Sequence, residues 1–425
     1  MTHNASRAVP PPRALPAATV TGTSSRHQAS GSTLSTGRLI GIDLARGLAV
    51  FGMYSAHVGP DVTVGGPMGF LLELARGRSS ALFALLAGFS LVLITGRPEP
   101  RTGRAGRQAV TRVVIRSLVL IALGFALTAL DTAVDVILAY YGLIFLAVLP
   151  LYRLRARTLM VIAAAGALVL PQMLYLVRES IGRGRWADTV IAWDPLARIS
   201  DSDGLLELLF TGEYPALTWI PFMVAGMAVA RLDLTRTKAR ARLAGAGGAL
   251  AVVGYGGSWL ALHLVPHAFT VIASVTDGGS ASSAWWSDTV GEPEGGIPSV
   301  WLLVAAPHSQ TTFSILGNTG VALAVVAVCL TVADRMPTLT SRAAPVSAVG
   351  TLALTVYVLH IVALWVFTDV WYVAALEDEG LSALPVLFGF IALAMLLAAV
   401  WTRLFRRGPL EYLLHATTRL AHLVP

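Results

Sequence analysis

Long apolar runs recur along the chain, separated by stretches rich in Gly, Pro and charged residues. They fall at about 39–58, 79–96, 112–130, 136–152, 157–177, 215–231, 242–265, 312–333, 347–370 and 383–404. A helix needs roughly 20 apolar residues to cross a hydrocarbon core about 30 Å thick. The pattern therefore predicts an all-α, polytopic helical membrane protein with about ten transmembrane helices. Residues 1–38 are rich in Ala, Ser, Thr, Pro and Arg and hold no apolar run, which predicts a disordered cytoplasmic tail. The membrane domain is then expected over 39–404, with a cytoplasmic C-terminal segment at 405–425.

Composition sharpens this reading. Of 425 residues, 55% are hydrophobic and 13% charged, where a soluble protein carries about 25% charged residues. An ordinary soluble enzyme is excluded. The 40 Gly and 22 Pro suit membrane helices, in which both are commoner than in soluble ones. The net charge of +7 does not point to nucleic acid, because the basic residues lie in short loops between apolar runs rather than on one face. The single cysteine, Cys329, sits inside an apolar run and leaves no intramolecular disulfide or thiolate cluster.

Loop charge orients the chain, since cytoplasmic loops collect Lys and Arg. With the N-terminus inside, the cytoplasmic side receives Arg97, Arg101, Arg104 and Arg107, then Arg153, Arg155 and Arg157, then Arg236, Lys238, Arg240 and Arg242, and finally Arg403, Arg406 and Arg407. The opposite side receives Asp131 and Asp135, then Asp277, Asp288, Glu292 and Glu294, then Glu377, Asp378 and Glu379. Both termini are expected in the cytoplasm of a multi-pass protein of the cell membrane. Two outer loops, about 178–214 and 266–311, are long and carry Trp, Pro and Gly; loops of that length are more often functional than idle. Trp285 and Trp286 read first as interfacial anchors and second as ligand-stacking rings.

Charge inside a membrane is costly, so each such residue is a functional candidate. The first run reads RLIGIDLARGLAVFGMYSAH. Asp43 and Arg46, three residues apart, share a helical face and can pair. His57 follows eleven residues after Arg46 and returns almost to that face, roughly 16 Å further along the axis. The structural alternatives are a snorkelling cation for Arg46 and a hydrogen-bonded interface histidine for His57. Their alignment on one stripe favours function.

DLARGLAVFGMYSAH fits a D-x-x-R-G-x-A pattern with a distal His and resembles the first span of a superfamily of transmembrane acyltransferases, which includes heparan-alpha-glucosaminide N-acetyltransferase-like proteins. The nearest resemblance is to the DUF418/YeiB-like branch. It is supported by SSALFALLAGFSL (79–91), DVILAYYGLIFL (135–146), EYPALTWIPFMVAGMAVARLDL (213–234), PHSQTTFSILGNTG (307–320) and RGPLEYLL (407–414). The resemblance implies transfer of an acetyl group from cytosolic acetyl-CoA to a saccharide or other envelope acceptor, glycan or lipid-linked, on the far side. It places His57 at the histidine near the outer end of an early span and Arg46 at the motif arginine. A neutral imidazole there can take the proton of an attacking hydroxyl or amine, or carry the acyl group. Arg46, held by Asp43, can bind donor oxygens. Arg104, Arg107 and Arg112 stand on the donor side, although positive-inside charge explains them as well.

Candidate acceptor-side residues are Tyr214, Trp219, His308, Thr311 and Asn318, with Asp135 and Tyr141 flanking the start of the fourth run. Aromatic faces suit sugar rings, and polar groups suit hydroxyls. His308 reads equally as a solvated loop histidine. His360, at mid-membrane depth, reads as an interhelical hydrogen-bonding group before a chemical one. No HExxH or paired His/carboxylate spacing suggests a metal, and GAGGALAVVGYGG lacks the ending of a phosphate-binding loop. A transporter or lipid flippase is the competing function, with the same charged residues as gating or relay groups. The oligomeric state, a homodimer included, stays open.

Overall fold

Each of the ten apolar runs is helical. The computed structural model describes residues 36–425 except 185, 201, 277–278, 294–295 and 371–382. The tail expected over 1–38 therefore lies outside the described residues up to position 35, as do Asp277, Glu294, Glu377, Asp378 and Glu379. In chain order the helices are α1 (Thr36–Val58), α2 (Gly66–Ala75), α3 (Arg78–Thr95), α4 (Gly103–Thr128), α5 (Ile137–Val148), α6 (Ala156–Arg183), α7 (Trp186–Trp193), α8 (Pro195–Ser200) and α9 (Ala216–Ala230). They continue as α10 (Thr237–Ala251), α11 (Gly257–Leu264), α12 (Ala268–Ala273), α13 (Thr312–Arg335), α14 (Pro337–Arg342), α15 (Ala344–Thr351), α16 (Ala353–Trp365), α17 (Ala383–Leu404) and α18 (Pro409–Thr417). Among the described residues no β-strand forms.

Among the described residues six helical stretches are long and apolar enough to cross a membrane, or up to seven if α15 and α16, bent by 84° at their junction, count as one span. Of the other predicted spans, α5 and α9 are apolar but only 12 and 15 residues long, so length and composition leave the full count of about ten open. In addition, α1 carries Asp43 and Arg46 within its 23 residues. The protein is a multi-pass helical membrane protein in which the shorter and more polar helices are enclosed by the longer ones.

Burial follows that division. On α6, Met160, Val161, Leu168, Val169, Met173 and Leu176 are exposed, a stripe that hydrocarbon can cover. α3 and α9 instead bury residues all round, including Leu85, Phe89, Met223 and Met227. Their backbones touch through reciprocal glycines. A Cβ on Gly88 would overlap the Met223 carbonyl, and one on Gly226 would overlap the Leu85 carbonyl. α1 and α15 meet the same way, with Gly47 against the Val346 carbonyl and Gly350 against the Asp43 carbonyl. Small residues let membrane helices approach closely where apolar burial alone gives no preference between protein and lipid.

The break between α15 and α16 exposes carbonyls at the end of one helix and N–H groups at the start of the next. Arg46 donates to the Gly350 carbonyl (3.1 Å) while paired with Asp43 (2.8 Å). Glu411 accepts from the N–H groups of Leu354 (2.8 Å) and Thr355 (3.1 Å) and from the Thr355 hydroxyl. Both ends of the break are thus satisfied by charges from distant parts of the chain.

The connections gather at two ends. At one, Arg231 donates to the carbonyls of Gly96, Pro98 and Tyr152, Arg97 donates to Leu232, and Arg107 to Pro425. At the other, Ile272, Val290, Trp301 and Val304 of the 266–311 segment form a small separate core with Leu262 of α11. Buried Arg78 ties it to the bundle by donating to the carbonyls of Trp286 and Glu73 and to the Tyr255 hydroxyl.

Gly350→Ala is expected to lower stability by about 1–3 kcal/mol or more, because the new methyl would overlap the α1 backbone at Asp43 and Gly47. Gly248→Ala, where nothing lies within 4 Å, should be neutral or mildly stabilising. Thermal unfolding in detergent compares the two, and equal midpoints would refute the close contact between α1 and α15.

Candidate functional site

The inner half of the site is built on the break. A cavity of about 280 Å³ is lined by Arg46, Ser90, Arg116, Gly350, Leu354 and Glu411, and extends to Phe83 and Tyr141. Arg46 also donates to the Ser90 hydroxyl (3.3 Å). A second cavity of about 540 Å³ shares Ile94, Arg116 and Glu411 with it and adds Arg101, Arg112, Arg407, Arg419, His415 and His422. One basic chamber results, with Glu411 as its carboxylate and that carboxylate already engaged by α16. Of the three loop arginines singled out in the sequence, Arg112 lines it, whereas Arg107 is spent on the Pro425 carbonyl and Arg104 is exposed.

An aromatic layer closes the chamber above. The Phe83 and Tyr141 rings are stacked with centroids 5.8 Å apart, and the Tyr141 hydroxyl donates to the Ser80 carbonyl (3.1 Å). Tyr54 and Tyr357 are buried nearby in the same core, each within ring contact of His360.

Beyond this layer His57 meets His360. Nδ1 of His57 lies 2.9 Å from Nε2 of His360, with the ring planes 9° from parallel and the centroids 5.1 Å apart. His360 is fully buried and His57 half-buried. Two residues 303 positions apart thus form one imidazole pair. His57 is in electrostatic reach of His308 and Arg76. Arg76 itself pairs with Asp61 (3.5 Å) and Asp288 (3.3 Å).

His308 occupies the outer cluster with Tyr214 and Trp219, at ring separations of 5.3 and 5.9 Å. Its Nδ1 stands 2.6 Å from the Glu213 carboxylate. His308 and Gln310 both adopt left-handed backbone, φ 59°. Such strain is retained where surrounding contacts over-determine it, and here Gln310 bridges the Glu213 carbonyl and the Thr218 hydroxyl. Burial disfavours the charged imidazolium, but the Glu213 carboxylate outweighs it and His308 is pushed up to about 9. Asp135 and Glu292 are raised, first by burial and then by repulsion from Glu213. Glu207 accepts from the Tyr140 hydroxyl (3.0 Å). The outer cluster is therefore rich in carboxylates, with the His308 imidazolium and Arg178 as the cations facing them.

The sequence candidates separate into three groups. Arg46 and Tyr141 line the inner chamber, with Asp43 paired to Arg46; His57, His360, His308, Tyr214, Trp219 and Asp135 belong to the outer cluster. Thr311 and Asn318 lie in neither. The Thr311 side chain caps α13 and bonds the Val304 carbonyl. Asn318 accepts from Tyr255 (2.7 Å) and donates to Ser314 (3.2 Å), part of the network that ends at Arg78. Sequence reasoning missed Arg116, Glu411, Glu207 and Glu213. Glu213 and Glu411 stood inside stretches quoted for their resemblance, and Arg116 is a cation within an apolar helix, so signals existed for three of them. Among the described residues no group of three or more His, Cys, Asp or Glu could hold a metal.

The raised pKa of His308 makes stability depend on pH. Its contribution is complete below the ordinary value of 6.5 and is lost as pH rises through about 9. Glu213→Gln should therefore cost most thermal stability at low pH, with the two unfolding curves converging above pH 9. A constant difference across that range would contradict the ion pair.

Two family models match the chain. The model of the family described as heparan-alpha-glucosaminide N-acetyltransferase, catalytic, matches residues 38–265, from the start of α1 through α11. The family described as a protein of unknown function (DUF418) matches residues 296–421, which include His308, His360 and Glu411. No curated protein matches the chain. With more than half of its length covered by the first of these families, the chain belongs to the heparan-alpha-glucosaminide N-acetyltransferase catalytic family.

Proposed function

We propose that this membrane acetyltransferase takes its acetyl group from cytosolic acetyl-CoA and delivers it to a saccharide or other envelope acceptor on the outer side of the cell membrane. The observation that carries the reading is one helix, α1, with Arg46 in a basic inner chamber and His57 in the outer imidazole pair. Arg46, Arg112 and Arg116 suit the phosphates of the donor, since guanidinium groups pair phosphate oxygens in a fixed fork. With His57 donating its Nδ1–H to His360, its Nε2 is left unprotonated. That nitrogen accepts the proton as the acceptor oxygen or nitrogen bonds to the thioester carbon. The carbon–sulfur bond then breaks, and the proton passes to the departing thiolate. His360 acts as a positioning residue that fixes the tautomer of His57.

Charge sets the orientation in this reading. The end holding Arg97, Arg153 and Arg231 is cytoplasmic, together with both termini, and the acidic end holding the 266–311 segment faces outward. A thiol introduced at the exposed Ser282 should react with an impermeant maleimide in intact cells. Reaction only after lysis would invert the topology.

For the acetyl group to reach His57 the Phe83–Tyr141 pair must part. A transporter gate would present the same closed layer, which is the observation behind the second reading, transport. Radiolabelled acetyl-CoA with methyl glucosaminide as acceptor discriminates between the two. Wild-type protein should transfer label, and His57→Ala should lower kcat by about 10² to 10⁴ with unfolding unchanged. Arg116→Met should raise KM for acetyl-CoA by about tenfold or more, the weight of one charge-assisted hydrogen bond. Near wild-type transfer by His57→Ala would remove the imidazole pair from the mechanism.

A further inference from the structure

α17 packs on α15 and α1 and scarcely touches α16 beside it. Between them lies a groove of about 620 Å³ whose walls are apolar except for Tyr54 and His360. Phe367, Phe390 and Leu393 form its sides, and at Gly389 nothing lies within 4 Å of where a Cβ would stand. The Tyr54 hydroxyl is already committed to the Val356 carbonyl (2.8 Å). The groove's one chemically distinctive neighbour is therefore His360, whose Nε2 is bonded to His57. Along α17 it runs from Val386 to Leu397. Eleven steps at about 1.5 Å give roughly 16 Å, the depth of one leaflet of a core about 30 Å thick.

The end of the groove at Phe367 and Val386 lies toward the outer side in the orientation above. Within electrostatic reach of His57 and Tyr357, beside the imidazole pair, stands the cluster of Asp135, Glu207, Glu213 and Glu292, its four carboxylates outnumbering the cations His308 and Arg178 that face them. That charge repels an anionic phospholipid head and accepts a neutral or amino-bearing one. We infer that the α16–α17 groove seats the hydrocarbon chain of a lipid-linked acceptor, one that carries an uncharged or amino sugar head, and presents this head to the His57–His360 pair. The inference rests on the acyltransferase reading and names its acceptor class. The acceptor enters sideways from the bilayer, and only its head leaves the hydrocarbon. Its hydroxyl or amine then bonds to the acetyl carbon as the CoA thiolate leaves, with the proton going to His57 as before.

The test uses the full chain in nanodiscs of phosphatidylcholine and phosphatidylglycerol. The probe is a dodecyl glucosaminide bearing a diazirine near the chain end. Irradiation should label α16 and α17 around Phe390 and Leu393, unlabelled dodecyl glucosaminide should compete, and Gly389→Trp should abolish the labelling. In turnover, kcat/KM for dodecyl glucosaminide should exceed that for methyl glucosaminide by tenfold or more. Gly389→Trp should remove that advantage while leaving the methyl acceptor unchanged. Competition by added phosphatidylglycerol as strong as by the glycoside would assign the groove to bulk lipid and overturn the inference. So would labelling that Gly389→Trp does not alter, or disulfide capture between two copies through Leu393→Cys, which would make the groove a dimer face. Saturable labelling lost in Gly389→Trp, with no acetyl transfer to either glycoside, would uphold the groove as a lipid-chain site and refute the acyltransferase reading instead.

Discussion

The interaction on which the inner site depends is the capping of a broken helix inside the membrane. Where α15 ends and α16 begins, backbone groups lose their helical partners, and hydrocarbon offers none. Arg46 satisfies the Gly350 carbonyl and Glu411 satisfies the N–H groups of Leu354 and Thr355. The break is therefore stable only because α1 supplies a cation and α18 an anion. The 84° bend in turn opens the space that becomes the inner chamber. Asp43 is needed because a guanidinium at this depth would otherwise lack a counter-charge. Its role in the fold and any role of Arg46 toward a donor phosphate are inseparable, so Arg116, which shares the chamber without capping the break, is the cleaner probe of binding.

Charge divides the two ends of the molecule. The inner end concentrates arginines whose guanidinium groups hold loop carbonyls together, and the unspent ones line the chamber. The outer end concentrates carboxylates facing the His308 imidazolium and Arg178. Between them stands a thin aromatic layer and the buried His360. Opposite charge on either side of a short hydrophobic barrier suits a reaction whose donor is a polyanion and whose acceptor is neutral or cationic.

Much of the fold was legible because hydrophobic run length reports directly on what hydrocarbon tolerates. All ten runs are helices, and the stripe of Asp43, Arg46 and His57 lies on one of them. The number of membrane crossings was less legible. α5 and α9 are apolar but short, and they are buried by neighbours rather than by lipid, a distinction that composition does not carry. Tyr214, Trp219 and His308, candidates from the sequence alone, do pack ring against ring, whereas Glu213 escapes such a reading because a carboxylate at a run's edge reads as ordinary loop charge. Thr311 and Asn318 were nominated as polar residues in a suggestive stretch, and the structure uses them to cap α13 and to anchor Arg78.

By itself the sequence determined the class of molecule, the positions of its helices and the charge asymmetry of its loops, since each follows from local composition acting against a slab of hydrocarbon. Only the tertiary structure decided that His57 meets His360, that Arg46 and Glu411 cap one break, and that α16 and α17 stand apart around a groove. These are contacts between residues 303, 304 and 57 positions apart or gaps between helices. No local periodicity encodes them, because they depend on which small residues let two particular backbones approach, and that is settled only when all the helices pack at once.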